Sequence, residues 1–171
     1  CEAASCEHGC FDADRCASDR ITLWGGSSHE VTHQVAVTPD GERVVVGSVI
    51  FDTSTEDQSE RDAFVAKLGP DGGELWSRQF GVPGTDEATD VTVDAAGNIY
   101  VAGASAGAFE GKPNTNPDTF DVFVLKLGPD GTTIWVTLFG GARNDIPNEL
   151  ALDADGNVHV AGLWNYGSGT R

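Results

Sequence analysis

Two sets of residues in this chain have the types and spacing to do chemistry. The first is four cysteines, Cys1, Cys6, Cys10 and Cys16, all within CEAASCEHGCFDADRC. That segment has little apolar content and no strand pattern, so cross-links are what could hold its shape. An even count packed this tightly predicts two disulfides and an oxidising compartment, with three pairings open. Two other readings stand beside it. Three or four thiolates with His8 could hold zinc, although the paired CxxC of structural sites is missing. Alternatively, Cys1 is the lipidated first residue of a processed bacterial lipoprotein.

The second set is a pair of Asp-rich segments, Asp94–Asn98 (DAAGN) and Asp153–Asn157 (DADGN). Asp94, Asn98, Asp153, Asp155 and Asn157 are the candidate metal ligands, because oxygen donors at alternate positions suit calcium. The Glu that would close an EF-hand loop is absent, and no helical pattern flanks either segment. The same residues are also those of a plain turn. Calcium is the one candidate cofactor. The connector carboxylates Asp52, Glu56, Asp57, Glu60 and Asp62 read as a solvated edge.

Other constellations are weaker. His8, His29, His33 and His159 form no recognisable set. The HxxxH of His29 and His33 would chelate on a helix, but on a strand the two rings stand too far apart. The sequence contains no G-x-S-x-G elbow, phosphate loop or dinucleotide fingerprint. Net charge is −17, and the ten Lys and Arg residues are scattered, which argues against nucleic acid as a partner. No run approaches the roughly 20 apolar residues that cross a bilayer, so no transmembrane segment is expected. The absence of methionine reads as a start downstream of the initiator, with any signal peptide out of view.

The elements that must position these residues come from an internal repeat. Asp62–Gly103, DAFVAKLGPDGGELWSRQFGVPGTDEATDVTVDAAGNIYVAG, recurs as Asp121–Gly162, DVFVLKLGPDGTTIWVTLFGGARNDIPNELALDADGNVHVAG, at an offset of 121 − 62 = 59. Val35–Gly47 is a divergent earlier copy, aligned with Val91–Gly103 at an offset of 103 − 47 = 56. Ile21–Gly26 matches the ends of the later Trp-bearing strands. A repeat of this length determines the architecture.

Each unit resolves into short strands at Asp90–Val93, Ile99–Gly103, Val122–Leu127 and Thr133–Phe139, joined by Asp/Gly/Asn and GPDG turns. Along Val122–Leu127, Phe123, Leu125 and Leu127 share one face, and Val124 and Lys126 share the other. Both faces are largely apolar, so each sheet should be covered on both sides by its like. Four-stranded antiparallel sheets stacked this way make a β-propeller. The fold class is therefore all-β, with about two and a half blades in view. A Cys-rich segment occupies residues 1–20 and repeat units about 35–82, 91–141 and 150–171 fill residues 21–171. Trp24, Trp76, Trp135, Phe80 and Phe139 recur with the repeat and are expected to pack between blades.

These motifs resemble the seven-bladed β-propeller (SBBP) repeat of bacterial exported and surface proteins. The matching residues include Asp62, Phe64, Lys67, Trp76, Phe80, Asp94, Gly97, Asn98, Tyr100 and Gly103, with their counterparts from Asp121 to Gly162. His159 replaces the usual Tyr. The turn-then-Trp element also resembles quinoprotein-type propeller repeats. The resemblance implies an extracellular or cell-surface location, periplasmic and lipid-anchored forms included. It also implies a non-enzymatic scaffold or binding module with a protein or glycan ligand, contacted through the connectors after Gly47 and Gly103. Two alternatives remain. One is a filament or shell built by self-association that completes the propeller. The other is the propeller part of an enzyme, with a central-channel site drawn from residues such as Asp90 and Glu149, where the first unit has Gln34.

Overall fold

The computed structural model describes residues 10–12, 15–16, 29–50, 60–81, 83–114, 116 and 119–165, with the backbone alone for 10–12 and 15–16. Among the described residues the twelve elements are all strands. A small antiparallel pair, β1 (Cys10–Asp12) and β2 (Arg15–Cys16), precedes the repeats. The first sheet holds β3 (His29–Val37), β4 (Arg43–Ile50), β5 (Arg61–Leu68) and β6 (Glu74–Phe80) in chain order. The second repeats that plan with β7 (Asp86–Val93), β8 (Ile99–Ser105), β9 (Asp121–Leu127) and β10 (Thr133–Phe139). A third sheet contains β11 (Ile146–Leu152) and β12 (Val158–Leu163). All pairs within these sheets are antiparallel. The leading segment Ile21–Gly26 lies outside the described residues.

Period-two alternation gives the second sheet two buried faces. Val91, Ile99, Val101, Phe123, Leu125 and Leu127 turn toward the first sheet and pack with Val44, Val46, Ala63, Val65 and Phe80. Tyr100, Ala102 and Val124 turn the other way and pack with Leu150, Leu152, Val158 and Val160 of the third. Equivalent residues are exposed where a neighbour is missing from the described residues. Val35 of β3 is 54% exposed, whereas its repeat partner Val91 is 6% exposed.

Each innermost strand carries a bulge at the same repeat position. The register shifts between Thr32 and Gln34, between Ala88 and Asp90, and between Pro147 and Glu149. The residue before each bulge faces a glycine: Gly47, Gly103 or Gly162. A Cβ on Gly103 would come within 2.2 Å of the Phe123 ring and 2.3 Å of the Glu87 carbonyl. The bulge therefore pushes backbone toward the second strand while the third strand fills the remaining space with a phenyl ring. Only glycine fits between them.

Candidate functional site

Antiparallel pairing puts the loops at two opposite rims. The Asp-rich and GPDG turns share one rim. The connectors from second to third strand and from each sheet to the next share the other.

At the turn rim, the Asp94 carboxylate is enclosed by its own loop. Oδ1 accepts hydrogen bonds from the Ala96 and Asn98 backbone N–H groups at 2.9 Å, and Oδ2 accepts from Asn98 Nδ2 at 2.7 Å and the Tyr100 hydroxyl at 3.2 Å. Burial pushes this carboxyl up, but the bonds from Asn98, Ala96 and Tyr100 outweigh it and hold it below the ordinary 3.8. Asp153 repeats the arrangement with Asp155 N, Asn157 N, Asn157 Nδ2 and His159 Nε2, the last at 3.2 Å. The Asn157 side chain and then its backbone N–H hold the Asp153 carboxyl far below its ordinary value. Asp155 stands apart on the same turn, and its backbone N–H serves Asp153. Among the described residues, no group of three or more His, Cys, Asp or Glu is arranged to hold a metal ion.

The inner strands hold the residues considered for a channel site, and they are not equivalent. Asp90 is buried, and its Oδ2 accepts the Leu150 N–H at 2.6 Å across the junction between the second and third sheets. Its Oδ1 accepts the Val91 N–H at 2.9 Å. Gln34 makes the same local bond to Val35 N at 3.0 Å, while Glu149 is exposed on β11. Asp90 therefore ties one blade to the next. His33, at the first bulge, reaches the second sheet through Glu87 at 2.9 Å, and Arg61 stands 4.0 Å from the same carboxylate.

The five aromatic positions divide. Trp76 donates through Nε1 to the Pro129 carbonyl at 3.3 Å, and its ring covers Gly131 in the turn of the second sheet. Lys67 Nζ donates to the same carbonyl at 3.0 Å, and Arg78 donates to the Gly131 carbonyl. Phe80 is 1% exposed, in the core between sheets. Trp135 and Phe139 are more exposed, at 37% and 36%. Trp135 meets Tyr100 of its own sheet edge-on, with centroids 6.3 Å apart, and Phe139 stacks on Trp164 at 5.4 Å. The physical reason is that the described third sheet supplies no third or fourth strand to cover them. Trp24, Cys1 and Cys6 lie outside the described residues, as do the side chains of Cys10 and Cys16.

The connector rim carries a feature that sequence reasoning missed. The loop after β8 folds back at Phe109–Lys112, where the two residues exchange backbone hydrogen bonds at 2.8 Å around Glu110 (φ 47°) and Gly111 (φ 77°). Phe109 is fully buried and stacks on Phe123 at 3.9 Å, with the rings 9° from parallel. Asn114 Nδ2 donates to the Ser105 carbonyl at 3.1 Å and to the Thr119 carbonyl at 2.9 Å. The base of the loop joins the next connector through Asp145 N to the Phe120 carbonyl at 2.7 Å and Phe120 N to Asn144 Oδ1 at 3.1 Å. The signal for it was Phe109, an aromatic within a Gly- and Asn-rich connector. Asp62, expected on a solvated edge, is half-buried beside Gly81. Burial first and Glu60 second raise its carboxyl above the ordinary value.

Residues 75–110 and 134–163 match the model of the SBBP beta-propeller repeat. These two stretches of the chain are similar to that repeat. Each matched stretch runs from the fourth strand of one sheet through the first two of the next, so the sequence repeat straddles the structural sheet. The chain is similar to "Regulatory protein FlaEY" of Caulobacter vibrioides, 27% identical over 133 residues, which is 70% of this chain and 14% of that protein. It is also similar to an uncharacterized WD repeat-containing protein of Acanthamoeba polyphaga mimivirus, 36% identical over 47 residues, or 28% of this chain and 3% of that one. The chain thus spans a small part of either relative. Among the described residues, no helix is long and apolar enough to cross a membrane.

Proposed function

We propose that this β-propeller segment is a binding module of an exported or cell-surface protein, and that it presents its connector rim to a protein or glycan ligand. The observation that carries this reading is the Phe109 loop. Its apolar anchor is buried in the blade, while Glu110, Gly111, Lys112 and Pro113 at its tip stand exposed. A loop ordered before binding loses less conformational entropy when a ligand arrives, which favours affinity. Loops on a rigid scaffold are also where binding residues concentrate. The name of the Caulobacter relative, a regulatory protein, is compatible with a role in binding. The cysteines support an exported setting.

The test is a protein and glycan array probed with the chain and with a Glu110→Ala/Lys112→Ala variant. The tip substitutions leave Phe109 in place. A ligand retained by the parent and lost by the variant supports the reading, and a ligand held equally by both sinks it. Protease treatment of intact producing cells tests location: cleavage of the protein supports surface display, and full protection contradicts it.

A further inference from the structure

The register of the short pair before the repeats sets two of the four cysteines opposite each other. β1 and β2 run antiparallel, with Asp12 facing Arg15 and Cys10 facing Cys16. The register shifts between those two steps, so β1 carries one residue more than β2. In a regular ladder Cys16 would stand opposite Phe11. The extra residue is what brings Cys10 to that position.

Directly opposed residues of an antiparallel pair have Cα atoms about 4.5 or 5.5 Å apart, according to whether they exchange hydrogen bonds. Either spacing falls within the roughly 4.4–6.8 Å that a disulfide spans. The pair has little else to hold it. Its strands are 3 and 2 residues long, and a lone two-stranded hairpin is marginal in water. Phe11 is the one large apolar residue of CFDADRC. A bond closing that loop would remove open conformations from the unfolded chain.

We propose that Cys10 and Cys16 are joined by a disulfide across the β1–β2 pair. Of the three pairings open to four cysteines, this selects the one that sets Cys1 and Cys6 apart from Cys10 and Cys16. The bond needs neither Cys1 nor Cys6 and forms whatever partners those two take. It arises by exchange with a disulfide-bearing oxidant. One thiolate attacks the oxidant's disulfide and releases a thiol, and the other thiolate then displaces the second. Two electrons pass to the oxidant, which leaves as two thiols carrying the two protons. The inference stands on the strand register and is independent of the rim-binding reading.

The test uses the full chain, oxidised with glutathione disulfide and treated with iodoacetamide to block free thiols. It is then cleaved without reduction after Glu7, Arg15 and Arg20. Mass spectrometry should find residues 8–15 joined to residues 16–20, and reduction should abolish the joined species. The Cys1→Ser/Cys6→Ser variant should give the same joined fragment. Residues 16–20 joined instead to a fragment holding Cys1 or Cys6 would overturn the proposal, as would blocking groups on both Cys10 and Cys16. Thiols that accept the blocking group only after a chelator is added mean that zinc holds them, and that also overturns it.

Discussion

The indole of Trp76 lies face-on against the backbone of Gly131, with three ring atoms each 3.2 Å from where a Cβ would stand. Gly131 also has φ +82°. It is therefore held to glycine twice, once by its own turn and once by a side chain of the preceding sheet.

Gly131→Ala separates these constraints when compared with Gly156→Ala. Gly156 is the glycine of the Asp153 turn, with φ +80° and nothing within 4 Å. Its alanine variant should lose about 1–2 kcal/mol, the cost of left-handed backbone alone. Gly131→Ala should lose about 1 kcal/mol more from overpacking against the indole. Urea denaturation of both variants checks this; equal losses would show that Trp76 exerts no pressure.

Asp90 makes the second prediction. Asp90→Ala removes the acceptor of the buried Leu150 N–H, and an orphaned buried donor costs about 1–3 kcal/mol. The Leu150 amide should exchange faster than those of β8. If Leu150 keeps its protection, Asp90 does not tie the second sheet to the third.

How much of this was legible follows from particular residues. Strand positions and turns could be read because Phe123, Val124, Leu125 and Leu127 alternate faces and Pro129 and Gly131 punctuate the chain. The inner-strand bulges could not, because a bulge adds one residue without changing composition. Gly47, Gly103 and Gly162 were their only trace. The role of Asp90 was hidden because its partner is a backbone N–H one repeat away. The candidate calcium turns were legible as turns, and their carboxylates are engaged by the loop itself. The Phe109 loop falls in a connector unlike its counterpart in length, so the repeat gave it no template.

The pH dependence has contributions of opposite sign, of which Asp94 and Asp62 are one each. The folded value of Asp94 is depressed, so its contribution is present above the unfolded value of 3.8 and lost as pH falls through the folded value. Asp62 is raised, so its contribution is present below 3.8 and lost as pH rises through its folded value. Asp94→Asn should therefore flatten the loss of stability on acidification. Asp62→Asn should raise the urea midpoint at pH 7 and leave it unchanged at pH 3. Opposite shifts would contradict the assigned environments.

Phe109 anchors the connector rim. Phe109→Ala should cost about 3–5 kcal/mol, the usual loss for a buried phenyl ring. Limited proteolysis should then cut near Gly111 before the strands. If the loop stays as resistant as the parent, the Phe109–Phe123 stack is not what orders it.

The central claim is that identical repeat positions are buried or exposed according to whether a neighbouring blade stands over them. Phe80→Ala and Phe139→Ala are the same substitution one repeat apart, measured in the same chain by chemical denaturation. Phe80→Ala should cost about 3–5 kcal/mol and Phe139→Ala less than about half of that, because Phe139 already meets solvent. Equal losses at the two positions would contradict the account.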